Sequence, residues 1–198
     1  MNEIYTYIYS KAFLKEESEI HLSDAIYEHV NKYKHNTKRA YSLNAWHSLR
    51  EKLIEKFNID INNKELYVDI HSKPHIQGIH ISIAHTRGYY GFSFSFNANV
   101  GFDVEDNEVI RNDKTLLRYL TNEEKEHYLK ERNQVLFYEL FTKKEALGKM
   151  LGTGLTSKAS LENAYWYTSI CDKVTFSICS DTRDVIHHIY YNNERLAK

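Results

Sequence analysis

Two acidic residues, Asp103 and Glu105, stand two positions apart in the segment VGFDVE. Alternate side chains of a β-strand project from the same face, so a strand here places both carboxylates side by side, with Phe102 and Val104 on the opposite face. Neighbouring carboxylates repel each other unless a cation lies between them, and Mg²⁺ commonly takes one or two carboxylates together with phosphate oxygens. The segment therefore favours either a divalent-metal site or, as the simpler alternative, a strand that ends in solvated acids.

A second charged group lies in the segment FTKKEALGK, residues 141–149, whose flanking leucines recur at helical spacing. On a helix, Glu145 and Lys149 are one turn apart, the spacing of an ordinary exposed ion pair worth about 0.3–0.5 kcal/mol. Lys144 falls inside the apolar arc of the same helix, where a lysine is costly unless it has a partner. The helix therefore predicts either a surface ion pair or charged groups that face a site.

A third polar group closes the segment IAHTRG, residues 83–88, which contains His85 and Thr86. An imidazole, a hydroxyl, a guanidinium and free backbone N–H groups at one turn can together hold a phosphate. Upstream of this turn, Arg39 and Lys73 add positive charge to an otherwise neutral chain. The alternative interpretation is a polar hairpin tip and a solvated basic face without a ligand.

Hydrophobic periodicity and turn residues place these groups on regular elements. We expect a helix to begin after Thr121, because Glu124 stands three positions on and completes a capping box. The predicted strands cover residues 4–9, 66–70, 79–85, 89–96, 99–105, 164–170, 173–179 and 185–191, and the other predicted helices cover about 23–33, 37–57 and 133–151.

The order of strand, helices and three strands occurs twice along the chain. It predicts an α+β protein of two similar α/β halves, residues 1–98 and 99–198, each a small, mostly antiparallel sheet packed with helices. Ligand sites favour the junction between such units, so we expect a pseudo-duplicated fold with its active site at the seam. No linker composition marks the junction near residue 98, which predicts that the halves are fused as one compact unit.

Composition excludes several classes of protein. With 42% hydrophobic and 14% aromatic residues, the chain is unlike a disordered protein. Its 26 basic and 27 acidic residues give a net charge of -1, so no global positive field indicates nucleic-acid binding. The N-terminus lacks the basic and apolar regions of a signal peptide, and no apolar run approaches the length of a membrane span. We therefore expect a cytoplasmic protein with no nucleic-acid or membrane partner, whose Cys171 and Cys179 are reduced thiols.

In this order the motifs resemble those of the 4′-phosphopantetheinyl transferase superfamily, whose pattern is a Gly-x-Asp-x-Glu strand followed by an aromatic-x-x-Lys-Glu-Ala/Ser-x-x-Lys helix. The matching segments are GFDVE at 101–105, FTKKEALGK at 141–149, LGTGL at 151–155, IAHT at 83–86 and Lys73-Pro74. One departure is Ala84, where the family often has serine, so one expected hydroxyl contact is missing. The doubled element order resembles the longer, pseudo-dimeric type, in which one chain holds a complete site.

The resemblance implies holo-acyl-carrier-protein synthase activity, in which 4′-phosphopantetheine passes from coenzyme A to a serine of an apo carrier protein and 3′,5′-ADP is released. It implies that Asp103, Glu105 and Glu145 bind one Mg²⁺, or Mn²⁺, together with the coenzyme A diphosphate. Lys149 and Lys144 would stabilise charge on the diphosphate. Glu145, directly or through a bound water, would take the serine proton.

Four residues are expected from the resemblance to hold the phosphates of coenzyme A: His85, Thr86, Lys73 and Arg39. The partner is an apo acyl carrier or peptidyl carrier protein, and such proteins are typically acidic, so local basic residues would also help to dock it. The sequence does not choose between the carriers of fatty-acid, polyketide and nonribosomal peptide biosynthesis. We expect the enzyme to act as a monomer.

Two other functions are compatible with parts of this pattern. A non-catalytic module that binds coenzyme A or a carrier protein would keep the fold without needing the metal ligands, yet all three acids are present. A metal-dependent nuclease also gathers acids and a lysine around Mg²⁺, but it usually places Glu-x-Lys on a strand, and the neutral chain disfavours it. Binding of coenzyme A without turnover would distinguish the module from the transferase.

Overall fold

The computed structural model describes residues 2–71, 73–156 and 159–196, and its fold is α+β, as the sequence predicts. The strands are β1 (Asn2–Ser10), β2 (Leu66–Val68), β3 (Pro74–Ile76), β4 (His80–Thr86), β5 (Tyr89–Ser95), β6 (Val100–Asp106), β7 (Tyr165–Cys171), β8 (Val174–Ser180), β9 (Val185–Tyr191) and β10 (Glu194–Arg195). The α-helices are α1 (Asp24–Val30), α2 (Asn36–Phe57), α3 (Asp113–Leu117), α4 (Asn122–Glu131) and α5 (Gln134–Leu151).

The strands form three sheets. The first has the order β10-β9-β1-β5-β4, the second is the β2-β3 pair, and the third has the order β6-β8-β7. All of the pairs are antiparallel except β1 with β9. In the first half, β1 pairs with β5, the second strand of the β4–β5 hairpin, which gives the order β1-β5-β4. In the second half, β6 pairs with β8, the second strand of the β7–β8 hairpin, which gives the order β6-β8-β7.

Two strands depart from the expectation that each half forms its own mostly antiparallel sheet, because β9 and β10 of the second half both lie in the first sheet. Strand β9 comes from the second half of the chain but lies parallel to β1 in the first sheet, which makes that sheet mixed. Ring stacking explains this position, because Tyr7 lies on Tyr190 and Tyr5 lies on His188, each with ring centroids 4.6 Å apart. Aromatic pairs of this kind stabilise neighbouring strands.

The core lies where the two larger sheets meet. Ile4 and Ile8 of β1 are buried against Phe102 and Val104 of β6, in one apolar cluster that also contains Phe176 of β8. Helix α2 covers the other face of the first sheet, and α5 packs against β6 and β8. Strand β6 is thus buried between a sheet and a helix, which fixes its position closely.

Most predicted boundaries are confirmed to within a few residues. The capping box at Thr121 is present, since its hydroxyl accepts from the backbone N–H of Glu124 while the Glu124 carboxylate accepts from the N–H of Thr121. Helix α5 ends at Gly152, whose φ of 70° is the left-handed conformation that glycine adopts easily. The short elements β3, β10 and α3 were not predicted, because runs of two to five residues carry too little periodicity.

Two further expectations concern the surroundings of the chain. Cys171 and Cys179 are free thiols in the structure. Of the helices that the structure describes, none is long and apolar enough to cross a lipid bilayer.

Candidate active site

The two carboxylates of β6 share a face, as the alternation of the strand predicts. Phe102 and Val104 are fully buried in the core, while Asp103 and Glu105 point toward α5 and are 5% and 7% exposed. Gly101 lets the helix approach this closely, because a Cβ atom there would collide with the backbone carbonyl of Ala146. The absence of one side chain therefore brings the strand and the helix into contact beside the carboxylates.

An ion pair joins the strand to the helix. The ammonium of Lys149 donates to Oδ1 of Asp103 at 2.7 Å. The second oxygen, Oδ2 of Asp103, is buried and has no hydrogen-bond partner among the described residues. A buried carboxylate oxygen without a donor is costly, so this position favours a further positive group.

Glu105 is held by two other side chains. Its Oε2 accepts from the hydroxyl of Thr86 at 2.8 Å and from the guanidinium of Arg111 at 2.5 Å. The guanidinium also lies over the ring of Phe141, 5.1 Å from its centroid. Thr86 of β4 and Arg111 of the loop after β6 thus bind this carboxylate, and Phe141 of α5 packs against the guanidinium.

The acids and the lysine form one electrostatic group. Burial, followed by the charge of Asp103, raises the pKa of Glu105 and of Glu145 to about 7. Burial also raises the pKa of Asp103, although Lys149 acts in the opposite direction. Burial opposes the charged form of Lys149, yet the carboxylates of Asp103 and Glu145 raise its pKa. Ionised carboxylates are thus disfavoured here unless positive charge is supplied.

The fit of this site to a divalent cation follows from its donors. Within the ranges that the structure describes, no three His, Cys, Asp or Glu side chains are grouped closely enough to hold a metal ion. Lys149 and Arg111 supply the positive charge at Asp103 and Glu105 instead. The unpartnered Oδ2 of Asp103 and the mutual repulsion that raises the carboxyl pKa values are nevertheless what a hard cation with oxygen ligands would relieve. Mg²⁺ commonly takes only one or two carboxylates together with phosphate oxygens, and Asp103 and Glu105 fit an ion bound in that way.

A cavity of about 430 Å³ lies next to these charges. Lys149 of α5 lines it together with Lys73 and His85. Burial, followed by the charges of Lys149 and Lys38, lowers the pKa of His85 to about 4, so the imidazole is neutral near pH 7. Lys73 donates to the backbone carbonyl of Met150 at 2.8 Å, and burial lowers its pKa.

Two of the residues predicted to hold phosphate groups lie outside the cavity wall. Thr86 is not in the cavity wall but bonds Glu105. Arg39 makes a two-pronged ion pair with Glu17, at 2.5 and 2.6 Å, and does not line the cavity. The structure does not bring either residue to the cavity wall, and their contacts to the phosphates of coenzyme A stay a prediction.

Lys144 is also separated from the carboxylates. Its ammonium donates to Oε2 of Glu124 at 2.5 Å and to the carbonyl of Ala159 at 2.7 Å, and its side chain is 2% exposed. Lys144 therefore has the counter-ion that a lysine in the apolar arc of α5 requires. This counter-ion is Glu124 rather than a substrate group. The structure does not bring Lys144 together with Lys149 and Asp103.

Sequence reasoning missed several residues that the fold brings to the site. Arg111 follows Glu105 by six positions in a loop, where no periodicity indicates its direction. His29 and Trp46 line the cavity from α1 and α2, and His71 lines it from the segment before Lys73. Ser82 also lines it and accepts from the backbone N–H of Phe102 at 2.9 Å. The chain contains 11 histidines, and the sequence does not say which of them meet.

The family model described as the 4′-phosphopantetheinyl transferase superfamily matches residues 99–196, which include β6 and α5. A comparison with curated proteins finds no match.

Proposed function

Because the chain belongs to the 4′-phosphopantetheinyl transferase superfamily, we propose that it catalyses Mg²⁺-dependent transfer of 4′-phosphopantetheine from coenzyme A to a serine of an apo carrier protein. The superfamily supports phosphopantetheine transfer in general. The identity of the donor, the acceptor and the metal rests on the site described above.

The observation that carries this proposal is the double position of Lys149. Its ammonium bonds Asp103 at 2.7 Å and also lines the cavity of about 430 Å³ that contains Lys73 and His85. A diphosphate in that cavity would lie against Lys149 and Lys73, and Lys149 would link it to Asp103. Phosphoryl transfer depends mainly on positioning and on neutralising charge, which is what this arrangement supplies.

In the proposed reaction, the serine oxygen of the carrier forms a bond to the β-phosphorus of coenzyme A. The bond from that phosphorus to the bridging oxygen breaks, and the oxygen leaves with its electron pair on 3′,5′-ADP. Glu145 accepts the serine proton, directly or through a bound water. Lys149 and Lys73 hold the diphosphate and stabilise the charge that develops on the leaving oxygen.

Asp103, Glu105 and Glu145 would hold the divalent ion, which when bound would neutralise charge on the diphosphate. Mn²⁺ would serve in place of Mg²⁺, since both take oxygen ligands. Lys144 is left out of the catalytic set because Glu124 binds its ammonium.

We also place the protein in the longer, pseudo-dimeric type of the superfamily, with its site at the seam of the halves 1–98 and 99–198. The matching orders β1-β5-β4 and β6-β8-β7 support a duplicated unit. The hydrogen bond between Thr86 of β4 and Glu105 of β6 supports a site between the two halves. Because one chain would then hold the complete site, we expect a cytoplasmic protein that acts as a monomer.

The direct test is to incubate the full chain with coenzyme A, Mg²⁺ and a panel of apo fatty-acid, polyketide and peptide-synthetase carriers, then weigh each carrier. We expect a gain of one phosphopantetheine group on at least one carrier, lost on omission of coenzyme A or addition of a chelator. No gain on any carrier at high enzyme concentration would contradict the proposal. Coenzyme A binding without any gain would instead favour a non-catalytic binding module.

A second test separates the cavity from the basic residues outside it. Lys73→Met should weaken coenzyme A binding by about tenfold or more, because a charged contact to phosphate is lost. Arg39→Met should leave the affinity close to that of the native chain, since Arg39 pairs with Glu17 outside the cavity. Equal weakening in both variants would mean that the cavity is not where the phosphates bind.

A further inference from the structure

Arg111 takes part in none of the motifs, yet it touches the proposed metal site directly. It lies in the loop between β6 and α3, and its guanidinium donates to Oε2 of Glu105 at 2.5 Å. The same oxygen accepts from Thr86 at 2.8 Å. One oxygen of a predicted metal ligand is therefore already occupied by two donors of the chain itself.

The position of Arg111 is fixed by a second contact. Its guanidinium lies over the ring of Phe141, 5.1 Å from the centroid, and Phe141 is the aromatic residue that opens the FTKKEALGK helix segment. An arginine over an aromatic face is held by attraction between its charge and the ring. The side chain thus bridges β6 and α5, the two elements that carry the acids.

The charge of Arg111 acts on all of the acids. Burial raises the pKa of Asp103, Glu105 and Glu145, and the positive charge of Arg111 counteracts this rise at each of the three. Arg111 and Lys149 therefore do in the metal-free protein part of what a divalent cation would do. A divalent cation that binds here must displace the guanidinium from Oε2 of Glu105. It is also repelled by the positive charge of Arg111.

We propose that Arg111 is a positioning residue that holds Glu105 in the metal-free protein and competes with the divalent ion for it, and so sets the metal affinity of the site. This inference rests on the proposed function, because it takes Glu105 as a metal ligand. It predicts that the chain without coenzyme A binds the ion weakly, because the guanidinium already occupies Oε2 of Glu105.

The test is a calorimetric titration of the full chain with Mn²⁺, in the absence of coenzyme A, for the native protein and for Arg111→Gln. We expect the variant to bind Mn²⁺ about tenfold or more tightly, because a competing donor and a repelling charge are both removed. Arg111→Lys keeps the charge and should lie between the two. Arg118→Gln is the matched control, because it removes an exposed arginine from the same region and should leave the affinity unchanged.

Several results would overturn the inference. Equal or weaker Mn²⁺ binding by Arg111→Gln would contradict competition, and an equal gain in Arg118→Gln would mean that only net charge matters. If the glutamine variant fails to fold, Arg111→Met removes the charge while keeping apolar contact with Phe141 and takes its place. Native protein that binds no Mn²⁺, with or without coenzyme A, would remove the metal site and this inference together. If the native protein binds Mn²⁺ and Arg111→Gln binds it with the same affinity, only the inference about Arg111 is contradicted.

Discussion

The ammonium of Lys149 lies 2.7 Å from Oδ1 of Asp103, although the two residues are 46 positions apart in the sequence. This contact joins the last turn of α5 to the middle of β6 and places both motif segments at one site. Both residues are therefore expected to matter for catalysis.

Lys149→Met should lower kcat/KM for carrier modification by about 10²–10³, because the variant removes a charge that stabilises the diphosphate. Lys143→Met, on the same helix, is the control, since Lys143 pairs with Glu139 at 2.6 Å and does not line the cavity. The mass gain of the carrier over time measures both rates. A near-native rate for Lys149→Met would contradict its proposed role.

Gly101→Ala should lower both activity and stability, since the added Cβ collides with the carbonyl of Ala146 and forces β6 away from α5. The expected loss of unfolding free energy is about 1–3 kcal/mol, as for other overpacked positions, and urea unfolding measures it. Gly91→Ala is the matched control, because its Cβ would meet the carbonyl of Tyr7 in the first sheet. If Gly91→Ala and Gly101→Ala lose the same activity for the same loss of unfolding free energy, Gly101 affects activity only through stability.

Lys144→Met should lower the free energy of unfolding by about 3–5 kcal/mol, because it leaves the carboxylate of Glu124 without its buried cation. Lys143→Met, which breaks a more exposed pair, should cost only about 0–1 kcal/mol. Thermal or urea unfolding compares the two neighbouring variants.

Adding Glu124→Gln to Lys144→Met should recover part of the loss, since no unpaired charge then remains. A double-mutant cycle gives the coupling energy of the pair. Additive effects would show that the pair is not coupled, and a large fall in activity without loss of stability would return Lys144 to the catalytic set.

The raised pKa of Glu145 makes a prediction about pH. Its pKa is about 7 in the folded chain against a usual 4.5, so the folded state holds the proton more tightly and this group's contribution to stability falls as pH rises from about 4.5 to 7. Glu145→Gln removes that penalty. Without metal, the variant should gain stability over the native chain as pH rises, by at most roughly 3 kcal/mol at pH 8 relative to pH 4.5, since each pKa unit corresponds to about 1.4 kcal/mol.

The measurement is urea unfolding of both proteins at several pH values between 4.5 and 8. Glu139→Gln, on the same helix, is the control, because it removes a carboxyl group that lies outside the site and pairs with Lys143 at 2.6 Å. A difference between Glu145→Gln and the native chain that is constant over this range would mean that Glu145 has an ordinary pKa.

The sequence alone determined the elements and the local order of the chemistry. The alternation of GFDVE gave the shared face of Asp103 and Glu105, and the helical spacing of FTKKEALGK placed Glu145 and Lys149 one turn apart. These predictions succeed because strand and helix geometry depends on short-range spacing, which a sequence displays directly. The family model matches residues 99–196, a range that contains both segments.

Only the tertiary structure decided which charges meet. The ammonium of Lys144 turns to Glu124, and the guanidinium of Arg39 turns to Glu17. Arg111 reaches Glu105 from a loop that no pattern singled out. Long, charged side chains have many rotamers, and their partners are chosen by the packing of segments distant in sequence, such as the close approach of β6 and α5 at Gly101. Sequence spacing determines the face of a helix or strand on which a charged side chain lies. Tertiary packing determines which oppositely charged side chain it contacts.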